Sequence, residues 1–355
     1  MAAATAAPVR EPTAKVTETI GSFRPTKIFR GAKPDTSITS LDFDDGGELI
    51  IAACDDESIQ LYNCKEGSQV KTLLSKKYGA HLARFTHNSQ SVLYASTKGE
   101  ATIRYLSTHD NQYIRYFKGH TAPVTSLAVS PATDNFLSCS LDGTVKFWSL
   151  ATPNVTGSLL LQDASLCAYD PSATVLAVAS GGTSSVLLYD VRHYDKTPFA
   201  VFDLQSDEME LYPNGVGRAA WTKLEFSNDG KSLLIATAGN GHILLDAFDG
   251  RMRAFCVRKH GPTGRLAPSQ SSDRGVHGSG DACFTPDSRY VIGGSGAENV
   301  LVWDTQAAPG PDRKIAPQYE VESKGRVALI EFNPRHNLFV TADKNLVLHV
   351  PEKTA

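Results

Sequence analysis

The stretch from Gly119 to Ser149, GHTAPVTSLAVSPATDNFLSCSLDGTVKFWS, contains three short apolar runs separated by turn residues. The first run alternates from Val124 to Val129 and stops at Ser130-Pro131, because proline has no N–H to donate to a sheet. The second run meets Asp142-Gly143, a dipeptide typical of a tight hairpin turn, and the third alternates again. The stretch therefore predicts three antiparallel strands, which are most of one small sheet.

This arrangement resembles the WD repeat, whose signature is a Gly-His pair, a turn aspartate before the third strand and a closing Trp-Asp. In that family a histidine, a serine, the aspartate and the tryptophan form a hydrogen-bonded chain, and each of these groups needs a partner when buried. The matching positions here are His120, Ser138 or Ser140, Asp142 and Trp148. Ser149 stands where the family has aspartate. We interpret the histidine as structural and not catalytic.

The rest of the chain contains six looser copies of this unit. Aligned on their third strands, the seven units fall at Tyr62, Leu106, Trp148, Tyr189, Asp246, Trp303 and His349. The steps between them are 44, 42, 41, 57, 57 and 46 residues, and propeller blades repeat about every 40 to 45 residues. The sequence therefore predicts an all-β fold, a seven-bladed WD-repeat β-propeller with two insertions.

Closure of the ring is predicted from one orphaned strand. Thr26 to Phe29 is a short apolar run without a hairpin partner, and the seventh unit lacks an outer strand. Pairing of the N-terminal and C-terminal strands would complete the last blade and leave only short, protected edges. We place the propeller at residues 23–352, a disordered N-terminal tail at 1–22, where Ala, Thr, Pro and Glu dominate, and a C-terminal tail at 353–355.

Composition narrows the functional classes. A formal net charge of −3 and a pI near 6.4 argue against direct, sequence-specific nucleic-acid binding. The six cysteines form no Cys-x-x-Cys pair and four of them fall in apolar runs, so we expect buried thiols in a reducing compartment and no zinc site. No apolar run is long enough for a membrane span and no secretory pattern opens the chain, so we expect a soluble intracellular protein.

A search for catalytic motifs returns none. The ten histidines form no His-x-x-His spacing, and the Asp-Gly and Asp-Asp pairs are explained by hairpin turns. Gly293 to Gly296 lies between two predicted strands, whereas a phosphate-binding glycine loop precedes a helix. We also find no carboxylate or histidine at matching positions facing the central channel. The sequence therefore predicts no enzyme, no cofactor and no metal.

Two insertions separate the blades unevenly, at 205–219 and 259–280, and loops of this length are usually functional or disordered. The first is acidic and the second is flanked by basic residues. The candidate partner-binding set is Arg251, Arg253, Arg258, Lys259, Arg265 and Arg274. Such residues can hold phosphate or acidic peptides. The alternative is a solvated loop without a ligand.

A second resemblance rests on three segments, of which the phrases WTKLEFSNDG and LDAFDG are more specific than the blade motif. The segments Val186 to Phe199, WTKLEFSNDG at Trp221 to Gly230 and LDAFDG at Leu245 to Gly250 resemble the WD-repeat subunit shared by the COMPASS histone methyltransferase and the cleavage and polyadenylation factor. The likeness covers the chain from Arg24 to Glu352. The long loop at 259–280 departs from it.

The resemblance implies a nuclear, non-catalytic scaffold. In one assembly such a subunit supports the SET-domain methyltransferase that modifies lysine-4 of histone H3. In the other it belongs to a phosphatase-associated module that acts in mRNA 3′-end processing and transcription termination, and its animal relative is linked to the phosphorylated tail of RNA polymerase II. The alternative is a WD-repeat adaptor of a ubiquitin ligase or trafficking complex, and a third reading, a propeller hydrolase, lacks the residues it would need.

Overall fold

The computed structural model describes residues 15–31, 36–163, 166–211, 220–261, 280–310 and 312–352. Within them, the strands form seven sheets, the blades, and each blade contacts its two neighbours through its innermost strand. Blades 1 to 4 comprise β2 Ile38–Phe43, β3 Leu49–Cys54, β4 Ser58–Asn63 and β5 Ser68–Leu74; β6 His81–Phe85, β7 Ser91–Ala95, β8 Ile103–Ser107 and β9 Tyr113–Phe117; β10 Val124–Val129, β11 Asn135–Ser140, β12 Thr144–Ser149 and β13 Val155–Leu160; and β14 Leu166–Tyr169, β15 Val175–Ser180, β16 Ser185–Asp190 and β17 Ala200–Asp203. The prediction of a seven-bladed propeller is confirmed.

The remaining three blades show where the ring closes. Blades 5 to 7 comprise β18 Trp221–Phe226, β19 Ser232–Thr237, β20 Gly241–Asp246 and β21 Met252–Val257; β22 Ala282–Phe284, β23 Tyr290–Gly294, β24 Asn299–Asp304 and β26 Tyr319–Glu322; and β27 Leu329–Phe332, β28 Phe339–Ala342, β29 Asn345–Pro351 and β1 Phe23–Arg30. The N-terminal strand β1 pairs antiparallel with β29, from Phe23 opposite Pro351 to Arg30 opposite Asn345. Closure by the two terminal strands is therefore confirmed.

One apolar cluster lies between each pair of neighbouring blades, because alternate side chains of every strand point to opposite faces of its sheet. Between blades 2 and 3, for example, Phe117 and Phe136 pack against Trp148. Between blades 5 and 6, Trp303 fills the same role. Because the apolar side chains of each sheet are buried against the next blade, the stability of every sheet depends on its neighbours.

Side chains also connect the innermost strands, whose inner edges would otherwise lack hydrogen-bond partners. Ser40 Oγ and Asp42 Oδ2 of blade 1 accept the N–H groups of Ala83 and Phe85 of blade 2, at 2.9 and 2.7 Å. Glu225 of blade 5 likewise accepts the N–H of Phe284 at 3.2 Å. The ring is thus tied together at its centre as well as by apolar packing.

The predicted disordered tail is too long. Residues Val16–Thr19 form a helical turn, α1, and Ile20–Ser22 a 3₁₀ turn. Ile20 is only 1% exposed and packs with Phe23 in the cluster between blades 6 and 7. The ordered region therefore begins before residue 23, while residues 1–14 and 353–355 lie outside the described residues.

Three further elements were not predicted. The acidic insertion contains a helix, α2, at Gln205–Leu211, and residues 212–219 lie outside the described range. The short strand β25, Lys314–Ile315, pairs parallel with β21, so the sheet of blade 5 has five strands. The outer strand of blade 6, Tyr319–Glu322, follows it and was also missed, because its alternating run YEVE is only four residues long and buries a single side chain.

Candidate functional site

The hydrogen-bonded chain of blade 3 joins the four side chains named from the sequence. Trp148 Nε1 donates to Ser138 Oγ at 2.8 Å, Ser138 Oγ lies 2.7 Å from His120 Nε2, and His120 Nδ1 lies 2.9 Å from Asp142 Oδ2. Since the indole can only donate, the serine hydroxyl donates to the imidazole, and the imidazole donates to the carboxylate. Ser138, and not Ser140, occupies the serine position, because Ser140 Oγ donates to the carbonyl of Ala122 instead.

Electrostatics fix the protonation states of this chain. Burial lowers the pKa of His120 more than the carboxylate of Asp142 raises it, so the imidazole is neutral at pH 7. Burial would raise the pKa of Asp142, but hydrogen bonds from Thr144, Thr121 and His120 bring it to about 2. Each of these hydrogen-bonding side chains finds its partner within blade 3, so the arrangement stabilises the fold of the blade.

The four basic residues that the structure describes do not form one site. Arg251 is exposed at the start of β21, with Nε 3.5 Å from Asp249 Oδ2, and Lys259 follows the end of β21, ion-paired with Glu320. At about 3.3 Å per residue the two lie roughly 26 Å apart. Arg253 donates from Nη1 to Ser232 Oγ at 2.8 Å. Arg265 and Arg274 lie outside the described residues.

Arg258 is the clearest departure from the predicted basic set. It is 4% exposed. Its Nη2 donates to Asp281 Oδ1 at 2.8 Å and to the carbonyl of Thr237 at 2.6 Å, and its Nη1 lies 2.8 Å from Asp281 Oδ2. A guanidinium held in this way has no face left for a phosphate. The expectation that Arg258 contacts a ligand is therefore wrong, and the residue instead ties blade 5 to blade 6.

The central channel does contain carboxylates, so the prediction that none faces it is wrong. Lys223 of blade 5 lies 2.7 Å from Glu225 and 2.8 Å from Glu331 of blade 7, so the second contact passes the inner edge of blade 6 on the channel side. Burial opposes the charge of Lys223, but the two carboxylates hold its pKa above the ordinary value. Burial raises the pKa of Asp42 to about 7, although the Arg84 charge lowers it.

These channel groups are used within the ring. Asp42 and Glu225 each accept a backbone N–H of the next blade, and Glu331 accepts from Lys223. A hydrolase needs a carboxylate that is free to meet a substrate. The alternation of β18, WTKLEF, places Lys223 and Glu225 on one face of the strand, but a local pattern does not reveal that this face meets the channel.

Two acidic side chains of the first insertion, on helix α2, also contact other parts of the fold. Glu208 of α2 is buried, accepts from Trp221 Nε1 at 3.0 Å and accepts from the Ser184 hydroxyl at 2.5 Å. Asp207 is ion-paired with Arg313 at 2.8 Å. Among the described residues of this insertion, two of the acidic side chains therefore stabilise the fold and do not offer a free negative surface.

The described part of the chain offers few groups for other chemistry. It contains no group of three or more His, Cys, Asp or Glu side chains that could hold a metal ion. No helix within it is long and apolar enough to cross a membrane. Its six cysteines are all free thiols, and five of them are buried: Cys54, Cys139, Cys167, Cys256 and Cys283.

Comparison with known proteins agrees with this architecture. The family model described as WD domain, G-beta repeat matches residues 23–63 and 111–149. WD repeat-containing protein 82 of Drosophila melanogaster is 36% identical over 332 residues, which are 94% of this chain and 95% of the relative. The similarity thus spans the whole propeller.

Two fungal proteins are similar over the same length. The Set1 complex component swd2 of Schizosaccharomyces pombe is 35% identical over 336 residues, covering 95% of this chain and 88% of the relative. The COMPASS component SWD2 of Saccharomyces cerevisiae is 32% identical over 341 residues, covering 92% of this chain and 95% of the relative. Similarity of this extent leaves no blade unmatched by either relative.

Proposed function

This chain belongs to the WD-repeat family of which these three proteins are members, and from that membership we propose that it is a non-catalytic scaffold subunit of a COMPASS-type histone methyltransferase complex. Its partners would be the SET-domain methyltransferase subunit and the other subunits of that complex, and its place of action the nucleus. The observation that carries the proposal is the similarity over nearly the full chain to two proteins whose names state membership of such a complex.

The geometry supports a scaffold in physical terms. Seven sheets are held in a closed ring by interblade clusters and by side-chain bonds between innermost strands, so their loops keep fixed relative positions. Loops on a rigid frame are the usual place of partner recognition. The titratable groups described above have partners inside the fold, which suits a subunit that positions other proteins and performs no chemistry of its own.

A direct test is acute depletion of the chain in cells. We expect loss of lysine-4 methylation on histone H3, measured by quantitative mass spectrometry of histone peptides, with recovery when the full chain is expressed again. Re-expression of a variant lacking residues 1–30, which removes β1, should not restore the mark. Unchanged methylation after complete depletion would contradict the proposal.

Membership of a subunit family shared by two assemblies extends the proposal to the cleavage and polyadenylation factor. There the chain would contact subunits of the phosphatase module and support mRNA 3′-end formation and termination. Nascent-transcript sequencing after depletion should then reveal transcription past polyadenylation sites. Normal termination together with lost methylation would restrict the chain to the methyltransferase complex.

A contact with the phosphorylated tail of RNA polymerase II remains a hypothesis from the family resemblance. Two of the basic residues predicted to bind this tail are engaged within the protein, since Arg258 is buried and Lys259 is paired with Glu320. Arg251 is the most exposed of the four described members. A phosphorylated tail peptide that binds the Arg251→Glu variant as well as the wild type would remove Arg251 from the hypothesis.

A further inference from the structure

An apolar groove lies between the outer parts of blades 3 and 4. Val178, Leu187 and Val201 are cross-strand neighbours on β15, β16 and β17. Phe202, the next residue along β17, packs between blades 4 and 5, so Val201 faces blade 3. The row ends inward at a cavity of about 190 Å³ lined by Leu161, Val178, Leu187 and the polar residues Gln162, Ser180, Thr183 and Ser185.

The outer end of this row is open to solvent. Val201 is 57% exposed, and Phe199, two residues earlier and on the same side of the extended chain, is 59% exposed. β17 is the outermost strand of its sheet, with no further strand beside it among the described residues. Its outward N–H and C=O groups are therefore available to an added strand, a common mode of peptide recognition.

The outer strand of blade 1 lacks this combination. Val70 and Leu74 on β5 are similarly exposed, at 55% and 57%, but the residues beside this face are polar, since Ser58 is paired with Leu74 and Gln60 with Thr72. Blade 5 shows that the ring can accept an added strand, because β25 pairs with the outer strand β21. Blade 4 presents an open edge together with an apolar row and a cavity.

The end of the groove nearest the cavity is acidic. Asp203 lies opposite Ser185 in the ladder, and the Asp163 carboxylate lies against Gly182, where an added Cβ would approach Oδ2 to 2.0 Å. Both acids are exposed. Within the described residues, neither is ion-paired with a lysine or arginine. A partner that fills the groove would bring a complementary positive charge to this end.

We propose that this groove binds an extended segment of a partner protein that adds a strand to β17, inserts one apolar side chain into the cavity and places a lysine or arginine between Asp163 and Asp203. The cavity has the right size, since about 150 Å³ is enough to hold a benzene ring. Because Phe199, just before β17, alternates with Val201 and Asp203 of that strand, the segment carries two apolar residues separated by one residue. The basic residue lies two positions beyond the apolar residue nearer the cavity.

The probe is a phage-displayed library of random twelve-residue peptides, selected on the full chain. Wild type should enrich the pattern of two alternate apolar residues and a basic residue. Val201→Glu should weaken binding of the selected peptides about tenfold or more, since a charge at the centre of an apolar contact removes well over 1.4 kcal/mol. The matched control is Val70→Glu, an equally exposed valine on β5, which should bind as wild type.

A second pair of variants separates the acidic end from the apolar row. Asp163→Asn with Asp203→Asn keeps the shapes and removes the charges, so the selected peptides should keep the apolar spacing and lose the basic residue. Amide exchange in wild type should slow at residues 199–203 when a selected peptide binds. No recurrent pattern, equal binding to Val201→Glu, or protection confined to another blade would overturn the proposal. None of these readouts depends on which complex contains the chain.

Discussion

Arg258 and Asp281 form a buried ion pair whose loss should weaken the whole ring. Asp281 is 3% exposed, and Arg258 supplies its contacts at 2.8 Å to both carboxylate oxygens. In Arg258→Ala the carboxylate stays buried without its cation, which costs about 3–5 kcal/mol. An unfolding entropy of about 2.1 cal/mol/K per residue gives a total of roughly 0.7 kcal/mol/K for a propeller of this size. Dividing the free-energy cost by this entropy, the melting temperature should fall by about 4–7 °C.

The sign of the pH dependence follows from Asp281. Burial raises its pKa above the ordinary value, and the Arg258 charge opposes that rise. Without Arg258 the pKa rises further. A carboxyl with a folded pKa above its unfolded value destabilises the fold increasingly as pH rises between the two values. The melting temperature of Arg258→Ala should therefore fall less at pH 5 than at pH 8.

Thermal melting followed by tryptophan fluorescence checks this prediction, with two control variants. Arg258→Lys keeps the positive charge, so its melting temperature should fall less than that of Arg258→Ala. Arg258→Met with Asp281→Leu replaces both partners by apolar groups and should recover most of the loss, because the pair itself adds little beyond its own desolvation. If Arg258→Ala melts within about 1 °C of wild type at pH 8, the ion pair does not stabilise blade 6 and the reasoning is refuted.

Three further outcomes are expected. Ser138→Ala leaves His120 and Trp148 without their shared partner and should cost about 2–4 kcal/mol by thermal melting, whereas Ser140→Ala, which loses one bond to a carbonyl, should cost less. Deleting residues 1–30 removes β1 and should abolish soluble monomer on size exclusion, whereas deleting only 1–14 should not. Burial lowers the pKa values of His120, His242 and His349, the last to about 4. The stability that these neutral imidazoles contribute above about pH 6.5 should therefore be lost as the pH falls below that value. A melting temperature that is unchanged between pH 7.5 and pH 5 would contradict this prediction.

The fold was predictable because each blade repeats a local pattern. Alternating apolar residues specify the strands, and Asp-Gly and Pro residues specify where they end, as in Gly119 to Ser149. The orphan run at Thr26 to Phe29 could be assigned to the last blade because a closed ring needs an outer strand there. Ile20 was missed since a single apolar residue before the first strand carries no periodicity.

The site was less predictable because the direction of a polar side chain depends on distant residues. Arg258 follows the end of β21, and its partner Asp281 lies beyond a long insertion, so sequence spacing gave no sign of the ion pair. Lys223 and Glu331 meet across the channel from blades 5 and 7. In both cases a residue that the local pattern assigns to solvent is paired inside the ring.

The most direct test of the scaffold proposal is purification of the endogenously tagged chain from nuclear extract at moderate salt, followed by mass spectrometry of the proteins retained. We expect a SET-domain methyltransferase with its complex in amounts comparable to the chain, and recovery of polyadenylation and phosphatase subunits would add the second assembly. Retention of ubiquitin-ligase or vesicle-coat subunits in place of the methyltransferase would leave the propeller intact and contradict its proposed function.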